Sequence, residues 1–535
     1  MTENSINKSY LFRITLVATL GGLLFGYDTA VVSGAVSSIR EFFVMPLSAD
    51  IDRAREVILQ YRVTVCISVL LILSAVGGML IKSAGRKRGI IISSVLFIIA
   101  AFILFRQFNS PLVSGENTIN AITGFAVSGA LIGCIIGGSV AGFVSLSAGR
   151  KNGLIISSLF FLVSSIGAAF PEKMSLLGMQ PLVSFIFYRI LGGIGIGLAS
   201  MLSPMYIAEI APAKIRGKLV SWNQFAIVLG ILIVYFVNWF IASRGDTTWN
   251  ITTGWRLMFL SGALPSLLFL GLLAFIPETP RYLVLKGKNT KASDLLVKIV
   301  GPQEAKESMK DIRNSINEKS VPWLSYGGLV IITGILLAAF QQLAGINVVL
   351  YYAPEIFQNT GTRLDISLLQ TIIVGTVNLV FTVIAIFTVD KYGRKPLLMA
   401  GGLLMSLSML FIGFAFYGEK IGLLTLIFIL FYIAGFAMSW GPVLWVVISE
   451  IFPNSIRGAM SIATATVWLT NLIVSWTFPV LDESTFLVAR YHHGFAYWIY
   501  SIMCLAAVFF VWRFVPETKG KTLEQIEKIW KSAKS

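Results

Sequence analysis

Asp28 and Arg189 are the residues of this sequence best placed to do chemistry, because each is an ionisable side chain inside a run of apolar residues, where charge is costly and is kept for function or for a partner. Asp28 follows Leu23-Leu24-Phe25-Gly26-Tyr27, and Arg189 shares its run with Gly192-Gly193-Ile194-Gly195-Ile196-Gly197. If the two meet between helices, a proton on the acid weakens its hold on the guanidinium, and proton binding couples to movement. A permanent pair would instead be structural.

A second set is neutral. Gln224, Gln341, Gln342, Asn347 and Asn378 are amides within apolar runs; each both donates and accepts, as the neighbouring hydroxyls of a sugar require. Phe25, Tyr351, Tyr352 and Trp445 offer flat apolar surfaces for the C–H face of a sugar ring. Lone amides in spans also serve as interhelical glue. Gln341, Asn347 and Tyr351 fall within about a third of a helix circumference, and Gln342 joins them only if the helix loosens near Gly345.

A third set sits at the ends of apolar runs: Arg150, Glu209, Arg216, Asp390, Arg394, Glu450 and Arg457. Salt bridges between bundles that form in one state and break in another would make these gates; plain complementarity to helix ends is the alternative. Nothing else suggests catalysis. His492 and His493 stand together in a loop, and Cys66, Cys134 and Cys504 lie in apolar runs without metal-ligand spacing. The glycine run follows no strand, so it reads as close helix packing rather than a nucleotide loop. No enzyme activity and no cofactor are expected.

The elements that must position these groups are membrane spans. The chain has 535 residues, 56% hydrophobic and 13% charged, and the apolar residues fall in blocks of the roughly 20 residues that cross a bilayer. Backbone in lipid satisfies its own hydrogen bonds, so the blocks are helices. About fourteen are predicted, eight between residues 11 and 277 and six between 326 and 515. The expected architecture is an N-terminal bundle over 1–278, a cytoplasmic linker over 279–322, a C-terminal bundle over 323–516 and a tail over 517–535. The first block, preceded by polar residues and followed by no cleavage site, is a retained helix. The net charge of +16 does not point to nucleic acid, because Lys and Arg occupy the breaks between blocks and mark the cytoplasmic side.

The halves echo each other. Gly149-Arg150-Lys151 is matched by Gly393-Arg394-Lys395, the run Glu209 to Gly217 by Glu450 to Gly458, and Pro277-Glu278-Thr279 by Pro516-Glu517-Thr518; such weak symmetry marks a transporter built from repeats. A closer repeat lies in the first half, where 83–97 matches 147–161 at about eleven of fifteen positions. It predicts a duplicated hairpin over about 62–106, either spanning or lying as re-entrant or peripheral helices.

The run Gly21 to Asp28, then Tyr188-Arg189, Pro204 to Glu209, Ile215 to Lys218, Gln341-Gln342 with Gly345-Ile346-Asn347, and Pro516 to Gly520 resemble the sugar-porter family of the major facilitator superfamily, over essentially the whole chain except about 41–122. The resemblance implies two six-helix bundles, here with an extra hairpin. It also implies a central sugar site at Gln224, Gln341, Gln342, Asn347, Tyr351 and Trp445, and a proton on Asp28 beside Arg189. The expected function is proton-coupled import of a monosaccharide, D-xylose first among pentoses and hexoses, by alternating access across a bacterial inner membrane. A monomer in the lipid bilayer with both termini cytoplasmic is expected; the alternatives are a hexose symporter and a facilitative uniporter. Leu146 stands where many members carry Asp, whereas Asp390 keeps it, and Ile231 and Val467 stand where xylose carriers of the family have Gln.

Overall fold

The computed structural model describes residues 7–519 and 525, apart from 85, 109–114, 176–177, 213–214, 318–327, 360, 420–421 and 453–459. Every regular element among the described residues is a helix. The first half comprises α1 (Lys8–Ala30), α2 (Ile51–Ala84), α3 (Arg86–Phe108), α4 (Glu116–Ser147), α5 (Arg150–Ala169), α6 (Pro181–Ile210), α7 (Arg216–Ala242), α8 (Trp255–Ser261) and α9 (Ala263–Leu273). Three short helices, α10 (Pro280–Leu285), α11 (Asn289–Val300) and α12 (Pro302–Asn317), lie between the halves. The second half comprises α13 (Gly328–Leu343), α14 (Ile346–Gln358), α15 (Leu364–Tyr392), α16 (Arg394–Tyr417), α17 (Leu423–Met438), α18 (Pro442–Ile451), α19 (Met460–Asp482), α20 (Thr485–Tyr491) and α21 (Phe495–Phe514).

Local signals explain the starts. Asn7 caps α1 by accepting from Tyr10 N at 3.0 Å, and Pro181 opens α6, where a missing N–H costs nothing. Thirteen helical stretches among the described residues are long and apolar enough to cross a membrane.

The repeated hairpin forms two helices, α2 and α3. It begins earlier than the expected residue 62, because Ile51–Ala84 is one continuous helix of 34 residues. Within α3 the apolar stretch is the shorter Gly89–Phe102. The hairpin lies on the outside of the first bundle: Gln60 Nε2 donates to Gly178 O at 3.3 Å and Gln60 Oε1 accepts from Gln180 N at 2.8 Å. Its far side leaves Ile67, Leu71, Ile91, Ile98 and Phe102 exposed, a surface suited to lipid.

The bundles meet along two seams, α19 against α4 and α15 against α7. Polar contacts across the halves cluster at the end of the molecule opposite the Gly-Arg-Lys turns. Arg40 Nη1 and Glu483 Oε2 are 3.0 Å apart. Gln358 Nε2 donates to Ser37 Oγ at 3.3 Å, and Trp476 Nε1 to Ala121 O at 2.9 Å. Thr485 N donates to Glu116 Oε1 at 2.5 Å, and its hydroxyl donates to the same carboxylate. At the basic end the ion pairs among the described residues, Arg150 with Glu209 and Arg394 with Glu450, run within a bundle.

Candidate functional site

Asp28 and Arg189 meet. Arg189 Nη1 donates to Asp28 Oδ2 at 3.1 Å and Nη2 donates to Asp28 O at 3.1 Å, so one guanidinium holds both the side chain and the backbone of α1. The pair is 7% and 1% exposed. Arg189 also lies 5.3 Å from the centroid of the Phe259 ring. Glycine permits the approach: a Cβ on Gly192 would lie 2.4 Å from Ser164 Oγ and 3.2 Å from Asp28 Oδ2, and one on Gly193 would lie 1.8 Å from Ala130 O. The glycine run is therefore a packing seam, as its spacing suggests.

The amides assemble around a break. Gly345 has φ +88, a left-handed conformation that separates α13 from α14, and a side chain there would collide with the Tyr500 ring. The break brings Gln342 into line. Asn347 Nδ2 donates to Gln342 Oε1 at 2.5 Å, Gln342 Nε2 to Gln341 Oε1 at 3.1 Å, and Gln341 Nε2 to Trp440 O at 2.8 Å. Each amide in this chain uses one donor on its neighbour, leaving polar capacity for a ligand.

Tyr351 is buried, and its hydroxyl accepts from Asn471 Nδ2 at 3.4 Å, while Asn471 Oδ1 accepts from Ser475 Oγ at 2.9 Å. Gln224 on α7 is half-buried and Asn378 on α15 is buried, on helices that pack together. Neither is hydrogen-bonded to the amide chain. Phe25 is half-buried with its ring 5.5 Å from Trp468, and Trp445 is half-buried on α18. Sequence reasoning passed over Asn471, although it carries the signal used for the others, an amide inside an apolar span.

The charged helix ends differ from expectation. Arg150 Nη2 pairs with Glu209 Oε1 at 2.8 Å and Arg394 Nη2 with Glu450 Oε1 at 3.0 Å. Both bridges join helices of one bundle, not the two bundles, because each Gly-Arg-Lys turn delivers its Arg onto the adjacent helix. The repeated Pro-Glu-Thr motifs complete the clusters. Glu278 accepts from the backbone N–H of Arg150 and Lys151, and Glu517 from those of Arg394 and Lys395. A carboxylate at a helix N-terminus is thus fixed in each half. Burial raises the Glu278 carboxyl above its ordinary value against those N–H groups. Burial pushes Glu517 the same way, but four backbone N–H donors outweigh it and hold the group below the usual range.

Beside Leu146, Arg150 Nη1 donates to Ser145 O at 3.0 Å, and beside Asp390 the equivalent Arg394 Nη1 donates to Val389 O at 3.3 Å. Arg216 is exposed with no ion pair among the described residues. Arg457 and the side chain of Asp390 lie outside the described residues. His493 Nδ1 stands 3.5 Å from Asp482 Oδ1 and His492 Nδ1 stands 2.9 Å from Glu419 Oε1. No group of three or more His, Cys, Asp or Glu able to hold a metal occurs among the described residues.

The chain is 48% identical to the D-xylose-proton symporter of Escherichia coli (strain K12), over 98% of this chain and 96% of that one. It is 40% identical to the glucose facilitated diffusion protein of Zymomonas mobilis, over 99% of each. Among solved structures it superposes on the inward open conformation of the xylose transporter XylE from E. coli with a TM-score of 0.77 at 46% identity, covering 97% of this chain and 100% of that one. The matches thus reach beyond the expected gap at 41–122. The family model for the sugar (and other) transporters is matched over residues 14–112 and again over 104–530, the overlap falling where the second hairpin helix ends. By that match and by these identities, the chain belongs to the sugar (and other) transporter family.

Proposed function

We propose that the chain is a proton-coupled symporter that carries D-xylose inward across a bacterial inner membrane by alternating access. The observation that carries this reading is the Arg189–Asp28 pair, a desolvated acid whose only charged partner among the described residues stands on another helix. Protonation removes the charge from Asp28, weakens its bond to Arg189, and loosens α1 from α6. Sugar binds to the Gln341–Gln342–Asn347 chain with Gln224, Tyr351, Asn378, Trp445 and Phe25 around it. The bundles then rock about this site, and no covalent bond changes.

The likeness to an inward open carrier agrees with polar cross-bundle contacts that, among the described residues, cluster towards one end. The basic turns put the opposite end in the cytoplasm, with both termini. The protein works as a monomer in the bilayer. Arg150–Glu209 and Arg394–Glu450 hold the inner ends of each bundle as rigid bodies on which the rocking acts, and Arg216 belongs to the same end.

A facilitative reading has one observation in its favour, the Zymomonas relative named for glucose diffusion. Proteoliposomes decide between them. Xylose added outside should drive proton entry in the wild type, and Asp28→Asn should abolish that entry while retaining sugar exchange. Sugar uptake without proton entry would establish the facilitative reading instead.

A further inference from the structure

A cavity of about 10 Å³ lies beside Asp28, inside the first bundle, where α1 packs against α5, α8 and α9. Its polar lining comes from Asp28, Tyr27, Ser165 and Ser266, with Phe259 and Gly262 completing one wall. A space of about 10–15 Å³ is what one water molecule needs, together with two to four polar partners.

The partners are set for a water. Ser165 Oγ donates to Phe161 O at 2.9 Å and Ser266 Oγ donates to Gly262 O at 2.7 Å. Both hydroxyl protons are therefore committed, which leaves both oxygens only the acceptor role. Asp28 Oδ2 is held by Arg189, whereas Oδ1 takes no hydrogen bond among the described residues. Tyr27, also in the lining, has its hydroxyl 2.8 Å from Ser261 Oγ. Three acceptors around one space suit a species with protons to give. Gly262 keeps the space open, since a Cβ there would lie 2.7 Å from Ser165 Oγ.

We propose that this cavity binds one water molecule that delivers the coupling proton to Asp28 Oδ1. The inference rests on the symport reading and adds a route to it: the proton travels inside the first bundle, while the sugar travels between the bundles. The step balances simply. A proton reaching the water makes hydronium, one O–H bond of which breaks as a new one forms at Asp28 Oδ1, leaving neutral water and an uncharged acid.

Filling the cavity tests it, with xylose-linked proton entry and xylose counterflow measured on the same proteoliposomes. Counterflow exchanges sugar without net proton movement and reports folding and sugar binding. Gly262→Val should slow proton entry about tenfold with counterflow within about twofold of wild type, and Gly262→Ala should fall between. Ser165→Ala, which removes an acceptor without adding bulk, should slow proton entry by a smaller factor. Unchanged proton entry in Gly262→Val overturns the cavity's role, as does an equal fall of both rates in every variant. A wild type with no xylose-linked proton entry overturns the symport reading and this one with it, an outcome distinct from the others.

Discussion

The two bundles solve different problems with different chemistry. The first holds a buried ion pair, Asp28 with Arg189, in a seam so tight that glycine is required at Gly192 and Gly193. The second holds neutral amides, Gln341, Gln342 and Asn347, strung across a helix break at Gly345. A charge removed from water needs a partner and dry packing to stay responsive to one proton. Groups that must greet hydroxyls need spare donors and acceptors, and an amide supplies both without the cost of burying charge. The division of labour therefore follows from solvation.

That contrast can be broken most completely at Asp28. Asp28→Asn should eliminate uphill xylose accumulation, measured as uptake against a gradient, while counterflow persists. Accumulation by this variant would mean that the charge chemistry is not confined to the first bundle. Glu209→Gln should come next in size for stability. It leaves the buried Arg150 guanidinium uncompensated at a cost of about 3–5 kcal/mol, read from thermal unfolding in detergent. Glu450→Gln should cost less, because Glu450 is 26% exposed against 11% for Glu209.

Gln341→Ala should weaken half-saturation for xylose about tenfold, the worth of roughly 1.4 kcal/mol of hydrogen bonding, and leave the proton dependence of transport in place. A change in proton dependence instead would show that the second bundle also shapes coupling. Arg40→Ala should have a small effect, about 0.2–1 kcal/mol for a partly exposed pair, seen as a modest opening of the end opposite the Gly-Arg-Lys turns by distance measurements between spin labels.

The smallest effect is expected from pH at that same end. The Asp482 carboxylate, 3.5 Å away, raises the His493 pKa above its ordinary value despite partial burial. This stabilisation is fully present below about pH 6.5, the ordinary value, and is lost as pH rises through the raised one. His493→Gln should flatten that dependence in a thermal-unfolding series between the two limits.

Much of this was legible beforehand because spans announce themselves. Asp28, Arg189 and the five amides stood out as polar groups in apolar runs, and the Gly345 break was the condition under which Gln342 could join its neighbours. The repeated motifs were visible as well, but not their purpose: Pro-Glu-Thr, Gly-Arg-Lys and the glutamates proved to be three parts of one cluster in each half. Their partners are chosen by helix packing, so bridges expected across the bundles turned out to lie within them. Asn471 was missed because an amide on a span carries no mark of which distant hydroxyl it will meet.

The sequence by itself determined that the chain is helical, lies in a membrane, repeats its halves and carries an inserted hairpin. Those properties depend on local composition and period. Only the tertiary structure decided that Asp28 finds Arg189 across 161 positions, that Arg40 meets Glu483 across the halves, and that a water-sized space opens beside the acid. These depend on which helix faces touch, and apolar surfaces in lipid are too alike for composition alone to choose among them.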